Sequence, residues 1–230
     1  MKKKIVSLLL TAAVAFQCVL GSGKAKAADN GLVLGIKGDK DHDHTSALSE
    51  IAAPQIRHML GNKKTTEVYT DSVSMTTARS YVRNHPIFVS RSHGWYNSEG
   101  TCIQLDDVKK IRLWSTDLTG ELTSTILAMY IGCTTAYRGN ASNAKNLISQ
   151  SVKKSCTTAV GFKTSINCGG ANDWTRYCMV RLGQGKTVSQ ACKKASELNA
   201  DLHYILQATG QLGTNNYSIA GDPTYYFGSK

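Results

Sequence analysis

The chain has 230 residues, with 27 Lys+Arg against 16 Asp+Glu and a formal net charge of +11. Five of the lysines fall in the first 27 residues, which hold no acids, so the remainder carries 22 Lys+Arg against 16 Asp+Glu, a charge of +6. That charge is spread over many segments with no Lys/Arg-rich run; it suits ordinary solubility or an anionic partner and does not by itself indicate nucleic-acid binding.

Residues 1–27 read as a cleaved signal peptide. Lys2, Lys3 and Lys4 form a positive start, Ile5 to Leu20 an apolar stretch, and Ala25-Lys26-Ala27 supplies small residues for a signal peptidase. The apolar run is short, carries Ser7, Thr11 and Gln17, and lacks a stop-transfer flank, which argues against a membrane anchor. Gln17 disfavours a lipid anchor at Cys18. The expected product is a secreted, extracellular protein, residues 28–230, whose length suits a single domain with a sizeable core. No linker of low complexity and no internal repeat interrupts it.

Apolar strand-like runs alternate with helical patterns along residues 28–230, the arrangement of an α/β three-layer sandwich with a mostly parallel sheet flanked by helices. The first strand is Gly31 to Ile36. A charged loop follows, Lys37 to His44, and then a helical stretch from Ser46 to Leu60, which Pro54 either kinks or starts. A strand over Thr66–Tyr69 and a helix over Thr76–Arg83 come next. The run Pro86 to Ser90 ends at Arg91-Ser92-His93-Gly94, and Leu127 to Ile131 ends at Gly132-Cys133-Thr134-Thr135. A fifth strand fits Thr158–Phe162. Helical patterns then cover Trp174–Leu182 and Val188–Leu206, parted by Gly183-Gln184-Gly185.

Six cysteines follow the signal: Cys102, Cys133, Cys156, Cys168, Cys178 and Cys192. An even count in an exported chain first suggests three disulfides. If Cys133 is a nucleophile, at least one other must also stay unbonded. The spacings form neither a CxxC pair nor a zinc pattern.

In open α/β sheets, ligands bind beyond the carboxyl ends of the strands. His93 and Cys133, 40 residues apart, each follow an apolar strand directly. On neighbouring strands they would share one rim, placing a thiol beside a base. Taken singly, each residue also reads as structural, a hydrogen-bonded histidine or a small buried hydrophobe. Gly94 leaves space for a backbone N–H to face a substrate carbonyl and, with the N–H of Cys133, could form an oxyanion hole. Gly132 allows a sharp turn before the nucleophile, and a helix starting soon after would favour a thiolate.

The order histidine before cysteine, with the segments Phe88-Val89-Ser90-Arg91-Ser92-His93-Gly94 and Met129-Tyr130-Ile131-Gly132-Cys133-Thr134, resembles the caspase-like (clan CD) cysteine peptidases. Gly183 to Cys192 and the tail Gly221-Asp222-Pro223-Thr224 are similar to the bacterial gingipain/clostripain-like branch. The resemblance implies His93 as acid/base, Cys133 as nucleophile, and Gly94 and Cys133 as oxyanion-binding N–H groups, acting on a protein or peptide substrate without a cofactor. The chain departs from the family at Gly132, where alanine is usual.

Members of that family differ in the residue required before the scissile bond, and the loop after the first strand helps to build the pocket for it. Here that loop holds Asp39, Asp41 and Asp43. A carboxylate at the pocket floor would select Arg or Lys, with Asp43 or Asp41 as candidates and Asp173 as an alternative. The same loop reads equally as a solvated charged segment, or as calcium ligands, although it lacks the glycine and closing glutamate of an EF-hand. Trp95, Tyr96 and Trp174 could line a groove or pack in the core. His42, His44, His58, His85 and His203 have no evident strand-end partner. Two other functions compete: an inactive caspase-like binding protein at the cell surface, and a basic module for an anionic cell-wall polymer, which the absence of a dense basic run disfavours.

Overall fold

The computed structural model describes residues 30–37, 43–106, 108–139, 143–201 and 216–228. The signal segment, Asp41, His42 and His203 lie outside them. Among the described residues nine strands form two sheets. The larger has the order β2-β1-β3-β7-β8-β9 and is built from β1 (Gly31–Ile36), β2 (Thr65–Thr70), β3 (Ile87–Arg91), β7 (Leu127–Ile131), β8 (Thr158–Phe162) and β9 (Tyr217–Gly221). All pairs are parallel except β8 with β9. The smaller sheet, β4 (Gly94–Asn97), β5 (Gly100–Gln104) and β6 (Arg112–Trp114), is antiparallel.

The inner strands β1, β3, β7 and β8 are buried along their whole length. Both faces of a parallel sheet are covered, so these strands read as continuous apolar runs. Successive side chains go to opposite layers. Val33, Val89, Met129 and Val160 pack in one core with Ile56, Trp174, Met179 and Ala191. These come from α1 (Ala53–Met59), α4 (Cys168–Gly183) and α5 (Val188–Asp201). Leu32, Leu34, Phe88 and Tyr130 pack in the other with Val82, Ile148, Ile103 and Leu113, from α2 (Met75–Asn84), α3 (Leu147–Lys153) and the small sheet.

Pro54 neither kinks nor starts the helical stretch alone. The winding is continuous over residues 46–59: a π-type turn, Leu48–Ala52, comes first, and Pro54 stands in the opening turn of α1, where proline has no N–H to bond back to the preceding turn. Ser74 caps α2 by accepting from Thr77 N–H, and Asn146 caps α3 from Ser149 N–H.

The even cysteine count suggested three disulfides; among the described residues no two cysteines are bonded. Cys178 and Cys192 lie side by side in the core, sulfur to sulfur 3.8 Å. Burial pushes the thiols of Cys102 and Cys156 up to about 12, so both behave as small hydrophobes. No described helix is long and apolar enough to cross a membrane.

Candidate active site

β1 leads to β2 on one side of the sheet, while β3 leads to β7 on the other. The chain therefore diverges between β1 and β3, and a crevice opens past their carboxyl ends. β3 and β7 pair in register, Arg91 opposite Ile131. His93 and Cys133 are each two residues beyond that pair, so they leave the sheet at one level. Two adjoining cavities, about 320 and 330 Å³, are both lined by His93 and Cys133.

The two loops meet with almost no room between their backbones. A Cβ on Gly94 would sit 2.1 Å from the Cys133 carbonyl oxygen, and one on Gly132 would sit 2.7 Å from the Ser92 carbonyl oxygen. The space that Gly94 leaves is thus filled by the nucleophile loop itself. His93 carbonyl accepts from Gln104 N–H at 2.9 Å. The following pair, Gly94 with Ile103, is then a non-hydrogen-bonded position of the ladder, and the Gly94 N–H faces away from β5.

The helix expected just after Cys133 is absent: Thr134 to Gly139 run in turns. Thr134, Arg138 and Gly139 take positive φ (57°, 70° and 64°), which interrupts helical winding. For a β-branched residue such as Thr134 this is a strained conformation. It is held by Thr134 N–H donating to Thr164 carbonyl at 3.1 Å and its hydroxyl donating to Cys133 carbonyl at 2.7 Å. The Cys133 sulfur instead accepts from Ile166 N–H at 3.4 Å, just ahead of α4.

His44 does have a partner. It follows β1, is buried, and its Nδ1–H donates to Ile36 carbonyl at 3.0 Å. Its ring stands edge-on to His93, centroids 4.9 Å apart at 79°. Trp95 flanks His93 at 5.5 Å and lies under the Arg112 guanidinium at 4.5 Å. Trp95 and Tyr96 line a cavity with His93 and Cys133, whereas Trp174 is fully buried and its indole N–H donates to Ser196 Oγ at 2.9 Å.

The described acidic candidates have partners of their own. Asp43 Oδ1 accepts from the N–H groups of Thr45 and Ser46, each at 2.9 Å. Partial burial opposes ionisation, but the hydrogen bonds from Ser46 and Thr45 outweigh it and hold the carboxyl down at about 2. Asp173 is engaged by Arg176 at 3.3 Å, and Arg176 also reaches Glu50 at 2.8 Å. Among the described residues no three His, Cys, Asp or Glu cluster as metal ligands.

Three site residues went unremarked in the sequence: Arg91, Cys168 and Asn172. Arg91 and Cys168 line the cavity on the His44 side of Cys133. A charged residue closing an otherwise apolar strand was the available signal for Arg91.

No family model and no curated protein matches the sequence. Solved structures do match. The Arg specific cysteine proteinase gingipain R aligns with a TM-score of 0.64 and 9% identity, over 86% of this chain and 47% of that one. The complex of the Porphyromonas gingivalis RgpB pro- and mature domains gives 0.61 and 10%, over 86% and 48%. The Saccharomyces cerevisiae separase in complex with securin gives 0.53 and 13%, over 92% and 13%. The chain has the caspase-like fold. It spans about half the length of the gingipain chains it matches, and at these identities the likeness is one of fold.

Proposed function

We propose that this chain is a cysteine endopeptidase, secreted after cleavage near Ala27, in which His93 and Cys133 act as a dyad. The observation that carries the reading is the in-register placement of both residues beyond β3 and β7, on the walls of shared cavities. In this mechanism Cys133 Sγ, as thiolate, attacks the scissile carbonyl carbon. Charge developing on the carbonyl oxygen falls to the N–H groups of Gly94 and Cys133. His93 protonates the leaving amine, and water, deprotonated by His93, releases the acyl group from sulfur. The substrate is a protein or peptide; no nucleic acid, membrane insertion or cofactor enters the reaction.

A basic residue before the scissile bond is the finer part of the proposal. Its support is the loop after β1, which His44 joins to the cavity holding His93 and Cys133. Asp43 and Asp173 would bind the substrate cation only by sharing carboxylates already engaged with Ser46 and Arg176, and Asp41 is the third carboxylate of the same proposal. The experiment is a fluorogenic panel with Arg, Lys, Asn or Asp before the leaving group, run on residues 28–230 and on Cys133→Ala. Turnover of Arg and Lys peptides, absent in the variant, is expected. Turnover after Asn or Asp alone removes the acidic pocket and keeps the dyad. No turnover in any well favours an inactive binding protein.

A further inference from the structure

Arg91 is only 3% exposed. A guanidinium keeps its charge at neutral pH, and burying it without an anion is costly. Among the described residues no carboxylate pairs with it. Its Nε donates to Asn172 Oδ1 at 3.4 Å, Nη1 to Ile131 carbonyl at 3.5 Å, and Nη2 to Cys168 carbonyl at 3.3 Å and Cys168 Sγ at 3.1 Å. Of these four acceptors, only the sulfur can become an anion.

The surroundings of Cys168 accommodate loss of its proton. The sulfur lies 3.1 Å from Asp43 carbonyl, which also accepts from Asn172 Nδ2 at 3.0 Å. The thiol's bond to that carbonyl favours the neutral form and opposes ionisation; against it, the carbonyl keeps the Asn172 donor when the thiol proton leaves, and the sulfur keeps the guanidinium. Cys168 is also the first residue of the 16-residue helix α4, where the backbone dipole favours negative charge. Among the described residues the titratable groups nearby are Arg91 from β3, Asp43 and His44 from the loop after β1, His93, and Cys133; the Asp43 carboxylate is turned towards Thr45 and Ser46.

We propose that Cys168 is a second reactive thiolate, charge-paired with Arg91, and a modification site for small disulfides and soft electrophiles entering the cavity it shares with His93 and Cys133. Burial pulls the Arg91 pKa below its ordinary value, and Cys168 is the foremost charge opposing that fall, ahead of Cys133 and Asp43. With a small disulfide, the Cys168 thiolate attacks one sulfur, a new S–S bond forms to the protein, and the other half departs as thiolate. The adduct takes volume from a cavity of about 330 Å³ and so crowds Cys133. The inference does not depend on peptidase turnover.

The test is alkylation of the folded protein by iodoacetamide between pH 5 and 9, read cysteine by cysteine by mass spectrometry. Cys168 is expected to reach half its maximal rate at least one pH unit below the value of about 8.5 for a free thiol. The midpoint should not rise in Cys133→Ala, and should move up in Arg91→Met. Oxidised glutathione should leave a mixed disulfide on Cys168. If Arg91→Met does not fold, the wild-type and Cys133→Ala profiles decide alone. A Cys168 midpoint at or above about 8.5, no labelling of Cys168, or a glutathione adduct confined to Cys133 would overturn the proposal.

Discussion

Gly94→Ala tests how the two site loops are fitted together. The added Cβ would stand 2.1 Å from the Cys133 carbonyl oxygen, 3.0 Å from Thr135 Cγ2 and 3.1 Å from the Cys133 carbonyl carbon, where real Cβ atoms essentially never come under 3.0 Å. The main clash is with backbone, so no side chain can rotate away. The His93 and Cys133 loops must separate by nearly an ångström. Overpacking of this kind costs about 1–3 kcal/mol, and a displacement of ~1 Å between reacting groups costs about a hundredfold in rate. Gly132→Ala should be milder, because its Cβ lies 2.7 Å from Ser92 carbonyl oxygen and a shift of a few tenths of an ångström relieves it. Urea unfolding and kcat/KM, measured on both variants, give the comparison. Gly94→Ala is expected to lose more on both scales. If it keeps wild-type stability and turnover, or if Gly132→Ala is the worse of the two, the reasoning fails.

Asp43→Ala removes the acceptor for Thr45 and Ser46 N–H and should cost about 1 kcal/mol at neutral pH, seen in the urea midpoint. Since the folded carboxyl is held at about 2, below its unfolded value, the wild-type advantage is present above about pH 4 and disappears as pH falls towards 2. Trp174→Ala empties a fully buried site and orphans Ser196 Oγ; a loss of about 3–5 kcal/mol is expected, whereas a groove residue would lose turnover with little stability. EDTA should leave turnover unchanged. Restoration of lost activity by calcium would instead assign a cation to the acidic loop after β1.

The strands that present His93 and Cys133 were legible because a doubly covered parallel strand is an unbroken apolar run, as in Ile87-Phe88-Val89 and Leu127-Ala128-Met129. The small sheet was not, since β4 has one buried end and an exposed turn, and β6 is only three residues long. Helix α3 spans just seven residues, too few for its period to stand out. The pairing of His44 with His93 depends on β1 lying beside β3, and that of Arg91 with Cys168 on where α4 begins. Both are facts of sheet order and packing that local pattern does not carry. A cysteine count likewise says nothing of distance: the packing of α4 on α5 brings Cys178 and Cys192 side by side, which their spacing in the sequence does not show.

The dyad is tested most directly by covalent capture. A peptidyl ketone inhibitor with arginine next to its leaving group, incubated with residues 28–230, should add one inhibitor mass, mapped by peptide sequencing to Cys133. Rapid capture should be lost in Cys133→Ala, leaving at most slow alkylation of Cys168, and capture at Cys133 should be at least a hundredfold slower in His93→Ala. An adduct on Cys168 alone, or capture at Cys133 at an unchanged rate without His93, would contradict the account.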